Sequence, residues 1–416
     1  MKHFDVIVVG GGPAGMFAAG FAALQGARVL LLEKNRRCGA KLLITGKGRC
    51  NLTCGETDPR KLSEQFGAAG KSLLTALYAF GVEDTIAFFE RHGLPTRVER
   101  GGRVFPAGGD AAAVQKVLEQ FLADSGVELR SGCRVLSLTH HDGQLQSLVT
   151  SQGEFSATTF VIATGGLSYP ETGCTGDGYA WAAASGHQLV KPQPALVPVF
   201  LAEDWTAEMV HFNLKNVRLE VRQQGRKLDE RFGEAFFTRN GIGGPIVLDM
   251  SAAIGAALEQ GPVTLVLDLK PAVDRELFDK RLQRELAAHN NRAFANALGG
   301  LLPKDMIPVF IRLSGIDPAK KCHSVSRQER GQLLKLFKEL AMTVTGIGDF
   351  KKAIVTAGGV ALGDIDMRTM RSKKVANLFF AGEMIDLDAP TGGYNLQLCW
   401  STGYLAGTSA AQASFG

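Results

Sequence analysis

The segment FDVIVVGGGPAGMFAAGFAALQGARVLLLEK, residues 4–34, constrains the fold more than any other part of the chain. A buried-type strand runs into Gly10, Gly12 and Gly15 at GxGxxG spacing, a helix opens there, and a second apolar strand ends at Glu33. Each position has a physical task. Gly10 permits the tight turn, Gly12 lets backbone N–H groups meet a pyrophosphate, and Gly15 lets helix and sheet pack closely. Pro13 and Ala14 open the helix, whose N-terminus favours negative charge. Glu33, 18 residues beyond Gly15, is placed to accept hydrogen bonds from ribose hydroxyls. The unit predicts a dinucleotide site, but FAD and NAD share the adenosine diphosphate half that it reads.

The 416 residues exceed a single core and suit roughly two to three domains of about 100–200 residues. Fifty glycines, against a usual share of roughly 7%, point to many close approaches and sharp turns. With 46 basic and 41 acidic residues the net charge is +5, which alone demands no nucleic-acid partner. Seven cysteines at irregular spacing form no CxxC pair and no zinc quartet, so free thiols and a cytoplasmic location are expected. The first strand begins at Phe4, leaving no room for a signal peptide, and no uncharged apolar run reaches about 18 residues, so no membrane span is expected.

Further along, helical stretches cover about 61–92 and an N-capped amphipathic helix covers 110–125. A strand follows around 127–138, with two more at 144–150 and 154–163. From about Pro192 the texture changes to short strands, and residues 273–342 are mostly helical. The strand NLFFAGE, 377–383, marks a return to the α/β pattern. The expected layout is therefore 1–191 and 343–416 as two parts of one FAD-binding domain. Between them lie a β-rich, barrel-like domain at 192–272 and a helical one at 273–342.

Two distant segments favour FAD. TTFVIATGG breaks from an apolar strand into Ala163, Thr164, Gly165 and Gly166, as needed where backbone passes close to an adenine; an ordinary strand-to-loop turn is the plainer reading. NLFFAGEMIDLDAPTGGYNLQ puts Gly382 and Glu383 at a strand end and Gly392 and Gly393 before a helix, next to Tyr394 and Asn395. Amides there suit a flavin pyrimidine carbonyl, and the helix dipole favours a reduced, anionic ring.

Six motifs in order, ITGKGRCN, GRVFP, ATGGLSYP, FFTRNGIGGP, TAGGV and TGGYNLQ, resemble the HI0933-like flavoprotein family over essentially the whole chain. The resemblance implies an α/β fold: a glutathione-reductase-type, Rossmann-like FAD domain interrupted by β-barrel-like and helical modules. It also implies FAD as cofactor. Reactions linked to the family are reduction of a uridine in large-subunit (23S) rRNA to dihydrouridine, reduction of steroid double bonds, and aminoacetone oxidation. Besides the glycines and Glu33, the cofactor-contacting set expected on this basis includes Lys34, Lys41, Gly48, Arg49, Cys50, Asn51 and Val135.

Reduction of an activated C=C bond requires a hydride from the flavin and an acid beside the neighbouring carbon. Cys50, flanked by Lys47 and Arg49, is one candidate, because adjacent cations lower a thiol pKa; a buried structural thiol is the alternative. Tyr394 is the other, with packing against the flavin as its alternative role. His92, His211 and His323 are isolated and suggest no metal site, and Ser168 and Ser401 lack a readable base partner. Basic runs at 34–41, 46–49, 97–103 and 368–374 and in the helical insert suit RNA phosphates, or else are solvated faces. Three readings follow. The first is an FAD-dependent reductase of rRNA uridine, with NADH or NADPH as transient reductant. The second is a small-molecule flavin reductase or oxidase, and the third a non-catalytic flavin-binding RNA assembly factor. No second GxGxxG marks a nicotinamide site.

Overall fold

The computed structural model describes residues 2–210 and 212–416, so His211 lies outside the described residues. The chain forms two compact units: residues up to Ala195 together with Phe350–Gly416, and Leu196–Asp349.

The first unit is built on parallel strands ordered Leu378–Phe380, Gly153–Ile162, Lys2–Val9, Val29–Glu33 and Glu128–Ser131. Val6 pairs with Val29 on one side and Thr159 on the other, so the first strand is central and reads as a continuous apolar run, as a strand buried on both faces must. The expected strand at 127–138 is two strands: Gly132, at φ 67, separates Glu128–Ser131 from Val135–His141, and the latter turns into an antiparallel meander with Gln144–Thr150. The helix Ala111–Asp124 is capped by Asp110, whose carboxylate accepts from the N–H groups of Ala112 (3.0 Å) and Ala113 (3.1 Å). Val114, Leu118, Phe121 and Leu122, at helical spacing, are its buried face.

The helix Tyr394–Ser414 lies against the helix Pro13–Leu24 at backbone distance. A Cβ on Gly403 would stand 2.5 Å from the carbonyl oxygen of Ala14, and one on Gly407 2.2 Å from that of Ala18, so only glycine permits this crossing. Phe17, Phe21, Phe80, Phe88, Phe121 and Trp400 fill the space beside it. Residues 67–91 have the length and apolarity of a membrane span. The chain breaks there at Gly81, the N-cap of a new helix, with Asp84 accepting from its N–H at 2.8 Å. Leu73, Leu77, Val82, Phe88 and Phe89 from this stretch are buried in the unit's core.

The second unit is a closed six-stranded barrel, in order Val199–Leu201, Gly241–Gly243, Arg226–Thr238, Asn213–Gln223, Thr264–Asp268 and Leu340–Ile347. The layout expected from the sequence needs correction here. Leu340–Ile347 pairs with both Thr264–Asp268 and Val199–Leu201, so residues 343–349 close the barrel and do not begin the second part of the FAD domain. The helices Arg275–Ala288, Ile307–Ser314 and Arg327–Lys338 share one apolar core with the barrel, through Phe278, Leu282, Phe310, Leu333 and Phe337. All seven cysteines are free thiols.

Candidate functional site

The glycine turn has the geometry that its spacing predicts. Gly10 sits at φ 107, and a Cβ there would stand 2.5 Å from the carbonyl oxygen of Ala163; a Cβ on Gly15 would stand 1.8 Å from the carbonyl oxygen of Gly10. Gly12, the N-cap of the first helix, has no side-chain cap and no atom within 4 Å of its missing Cβ. The helix N-terminus is thus built close beneath and left open above.

Glu33 is buried, with one carboxylate oxygen accepting from Gly11 N–H and the other from Asn35 N–H, each at 2.7 Å. Backbone donors hold the carboxylate, and each oxygen keeps a further lone pair for a hydroxyl. Val135 begins the strand just beyond Cys133, whose N–H bonds the carbonyl of Glu33 at 2.9 Å. Lys34 reaches across to Asp177 (2.8 Å) and Thr175, so its ammonium is already engaged.

Four segments far apart in sequence meet at Glu383. Its Oε2 is ion-paired with Lys41. Its Oε1 accepts from Thr356 N–H (2.7 Å) and the Ser168 hydroxyl (3.2 Å), and Lys41 also donates to Ser168 Oγ at 3.0 Å. Burial alone would lower the pKa of Lys41, but the adjacent Glu383 carboxylate more than reverses this, and the net shift is upward. Thr356 Oγ1 accepts from Leu167 and Ser168 N–H at 2.8 and 3.1 Å and fixes the turn after Gly165 and Gly166. The Tyr179 hydroxyl donates to the Glu383 carbonyl at 3.1 Å, and burial followed by the Glu383 charge pushes its pKa up.

The glycine-rich loop carries an unusual backbone. Gly46, Lys47, Gly48 and Cys50 all have φ between 57° and 82°, so two residues with side chains occupy the left-handed region. Cys50 corrects an expectation. Its thiol is fully buried, and burial pushes it up to about 12, offset only in part by the Thr45 side chain. The cation expected to lower it points elsewhere: Arg49 bonds Glu99 at 2.5 Å and lies over the Phe105 ring at 4.1 Å. Next to Cys50, Asn51 Oδ1 is buried with no hydrogen-bond partner.

Gly393, at φ 102, caps the helix Tyr394–Ser414, and a Cβ on it would stand 2.4 Å from the backbone of Thr53. The Tyr394 ring covers Gly392, where a Cβ would lie 2.5 Å from Cε2, and Tyr394 packs on the unit's core. Asn395 braces the preceding loop, accepting from Ala389 N–H at 3.0 Å and donating to its carbonyl at 2.7 Å. Gly382 donates to Thr402 Oγ1 at 2.9 Å and crowds Ala14.

Asp388, between Glu383 and Gly393, was not singled out from the sequence. Burial pushes its carboxyl up to about 6, with the Asp386 and Glu383 charges adding to the shift. Three carboxylates within six residues, just before a Gly-Gly pair, were the available signal.

Some of the cations behind the RNA expectation are committed to ion pairs. Lys320 pairs with Glu329, Arg330 with Asp279, Lys338 with Asp268, Arg97 with Glu99 and Arg368 with Asp366. Arg36, Arg37 and Lys47 are exposed, with no ion pair among the described residues. His92 and His323 bond backbone carbonyls at 2.7 and 3.0 Å, and no cluster of three His, Cys, Asp or Glu suited to a metal occurs among the described residues.

These residues fit FAD. Two helix N-termini without side-chain caps, at Gly12 and Gly393, suit its phosphates and its pyrimidine carbonyl. The orphaned Asn51 oxygen is an acceptor waiting for a donor such as a ring N–H.

Comparison with known proteins agrees. A model of the HI0933-like protein Rossmann domain matches residues 4–409. A 3-dehydro-bile acid delta(4,6)-reductase from Clostridium scindens is 33% identical over 411 residues, 97% of this chain and 98% of the other. A ribosomal RNA dihydrouridine synthase from Escherichia coli is 30% identical over 405 residues, 97% of each chain. Among solved structures, a 3-ketosteroid-delta4-(5alpha)-dehydrogenase from Rhodococcus jostii shares the fold, with a TM-score of 0.53 at 18% identity over 99% of this chain and 97% of that one. With its Rossmann-type FAD-binding fold and full-length relatives, the chain belongs to the HI0933-like family of flavin-dependent oxidoreductases.

Proposed function

We propose that this protein uses FAD and NADH or NADPH to reduce a C=C bond, with a uridine of 23S rRNA as the leading substrate. One observation carries the reading: full-length relatives at 33% and 30% identity are named for a delta(4,6) reduction and for dihydrouridine synthesis, and each adds two hydrogens across a C=C bond. Bound FAD supplies the hydride transfer. Gly10, Gly12 and Gly15 admit its diphosphate, Glu33 its ribose, and the Ala163–Gly166 turn its adenine side. Lys41 with Glu383, Asn51, and the Gly392–Gly393 helix end hold the flavin half. Arg36, Arg37 and Lys47, and in the helical insert Arg327 and Lys335, are exposed cations without an ion pair among the described residues and are candidates to meet RNA phosphates. A second reading, a small conjugated enone as substrate, is favoured by the greater identity to the bile acid reductase and by how many basic side chains are already paired.

The test is mass mapping of 23S rRNA from cells with and without the gene. A two-unit mass gain at one uridine that disappears on deletion supports the first reading, and unchanged rRNA removes it. Bleaching of the purified yellow protein by NAD(P)H under anaerobic conditions, then reoxidation by a 4-en-3-one steroid, supports the second. A flavin that stays oxidised in excess NAD(P)H supports only a non-catalytic role.

A further inference from the structure

Two basic runs that stand apart in the sequence, 46–49 and 97–103, converge in the structure. The strands Thr53–Cys54, Arg103–Pro106 and Thr96–Glu99 form a small antiparallel sheet. Arg97 pairs with Phe105 and Glu99 with Arg103, and side chains two apart on a strand share a face, so these four lie on one face of the sheet. Arg49 joins them from the glycine-rich loop. Its guanidinium lies 4.1 Å from the centre of the Phe105 ring and bonds Glu99 Oε1 at 2.5 Å, the same oxygen that pairs with Arg97 at 2.8 Å. The Arg103 guanidinium lies 5.9 Å from that ring, with its Nε turned back to the Arg100 carbonyl at 3.2 Å. Three guanidiniums thus share a face with one carboxylate, and the side chains of Arg49 and Arg97 remain 48% and 56% exposed. The face adjoins the loop assigned to the flavin: a Cβ on Gly46 would stand 3.4 Å from Phe105 Cε1 and 3.1 Å from Asn51 N. Lys47, exposed on the same loop, is held at φ 59, a left-handed conformation that disfavours any residue with a side chain.

We propose that this face, Arg49, Arg97 and Arg103 with Lys47 beside it, is where the phosphates of a folded RNA dock while one of its bases reaches the flavin. The inference rests on the rRNA reading above and names its docking surface. A guanidinium lying over an aromatic ring keeps N–H groups at its edge for phosphate oxygens. The shared Glu99 fixes the spacing of Arg49 and Arg97 without cancelling the charge of the face, since one negative charge stands against three positive ones. In the other unit Lys320, Arg330 and Lys338 each have a carboxylate of their own, and no such excess arises at those pairs. Every phosphate met by a cation releases counterions, so binding at this face is steeply salt-dependent.

The experiment compares FAD-loaded wild type with Arg97→Ala/Arg103→Ala, with Arg97→Lys/Arg103→Lys, and with Arg226→Ala/Lys280→Ala, which removes two exposed cations of the barrel unit. The probe is a 23S rRNA transcript, and its Kd is measured over a series of KCl concentrations. Arg97→Ala/Arg103→Ala should raise Kd roughly ten-fold at physiological salt and flatten the slope of log Kd against log[KCl] by about 1.4–1.8, two contacts at about 0.7–0.9 each. The lysine pair should restore the slope, and the barrel-unit pair should leave it unchanged. An unchanged slope in Arg97→Ala/Arg103→Ala, or an equal flattening in the barrel-unit pair, overturns the docking surface. So does a loss confined to reduction of a 3-oxo-4-ene bile acid with RNA binding intact, which would make the face a site for a small carboxylate. Wild type that neither binds the transcript nor forms dihydrouridine in it with NAD(P)H overturns the rRNA reading instead, an outcome seen before any variant is made.

Discussion

Gln397 and Phe337 occupy equivalent depths in the two compact units, both without exposed surface, and they show two ways of specifying an interior. Gln397 accepts from Thr53 (2.6 Å) and Thr85 (2.9 Å) and donates to the Phe80 carbonyl and Ser401, so it ties two distant segments, around Thr53 and at 80–85, to the helix Tyr394–Ser414. Phe337 only fills space, against Phe278 and Phe310 with ring centroids 5.1 and 5.2 Å away. Among the described residues of the barrel unit the fully buried polar side chains are Thr206, Ser251 and Ser314, whereas the other unit buries Glu33, Thr53, Ser168, Thr356, Gln397 and more. A polar network admits few alternative arrangements because every broken partner is costly. An apolar core tolerates repacking at constant volume. The unit that must hold backbone in place around a ligand is the one that spends buried hydrogen bonds to do so.

Substitutions can break this contrast. Phe337→Ala should have the largest effect, about 3–5 kcal/mol of lost stability by chemical denaturation, because it opens a cavity among fixed rings. FAD content per folded molecule should be unchanged; loss of the yellow colour in the folded fraction would show that the two interiors are not independent. Gln397→Leu should cost less, about 1–3 kcal/mol, by orphaning the Thr53 hydroxyl, whereas the Thr85 hydroxyl keeps the Gly81 carbonyl at 3.0 Å. It should weaken FAD binding as well, since Thr53 abuts Gly393. Retained affinity would reduce the network to scaffolding.

The smallest effects concern pH and have opposite signs. Asp388 is raised from 3.8 to about 6 in the folded protein, so its contribution is favourable below 3.8 and is lost as pH rises through about 6. Asp388→Asn should therefore stabilise the protein at pH 8, on the order of 1–2 kcal/mol, and change little at pH 3.5. Glu329, in the barrel unit, is lowered from 4.5 to about 2 by Lys320 and the Ser326 backbone, so its contribution is present above 4.5 and lost as pH falls towards 2. Being near the surface, Glu329→Gln should cost under about 1 kcal/mol at pH 7. Thermal melts of both variants at three pH values would test the pair.

The first βαβ unit was legible because everything that defines it is local: two apolar runs, three glycines and an acid within 34 residues. The helix capped by Asp110 was legible for the same reason. Leu340–Ile347 was misassigned because its alternation fits either unit, and only its pairing with Thr264–Asp268, some 75 positions earlier, decides. Charge neighbours along the chain misled at Cys50, because burial outweighs sequence proximity once Arg49 turns to Glu99. Asp388 went unnoticed because its perturbation comes from tertiary burial, which composition does not reveal.

The helix of residues 394–414 lies on the helix of residues 13–24, which has consequences for synthesis. A growing polypeptide leaves the ribosome with its phosphate-type turn already made but without one wall of the ligand cavity, and must carry that half-built cleft through the translation of more than 300 intervening residues. Cofactor capture that needs both helices is therefore expected only after the C-terminal helix has been made. Premature termination anywhere ahead of position 394 should leave a product with an exposed aromatic cluster and no grip on the flavin, a natural substrate for chaperones and proteases.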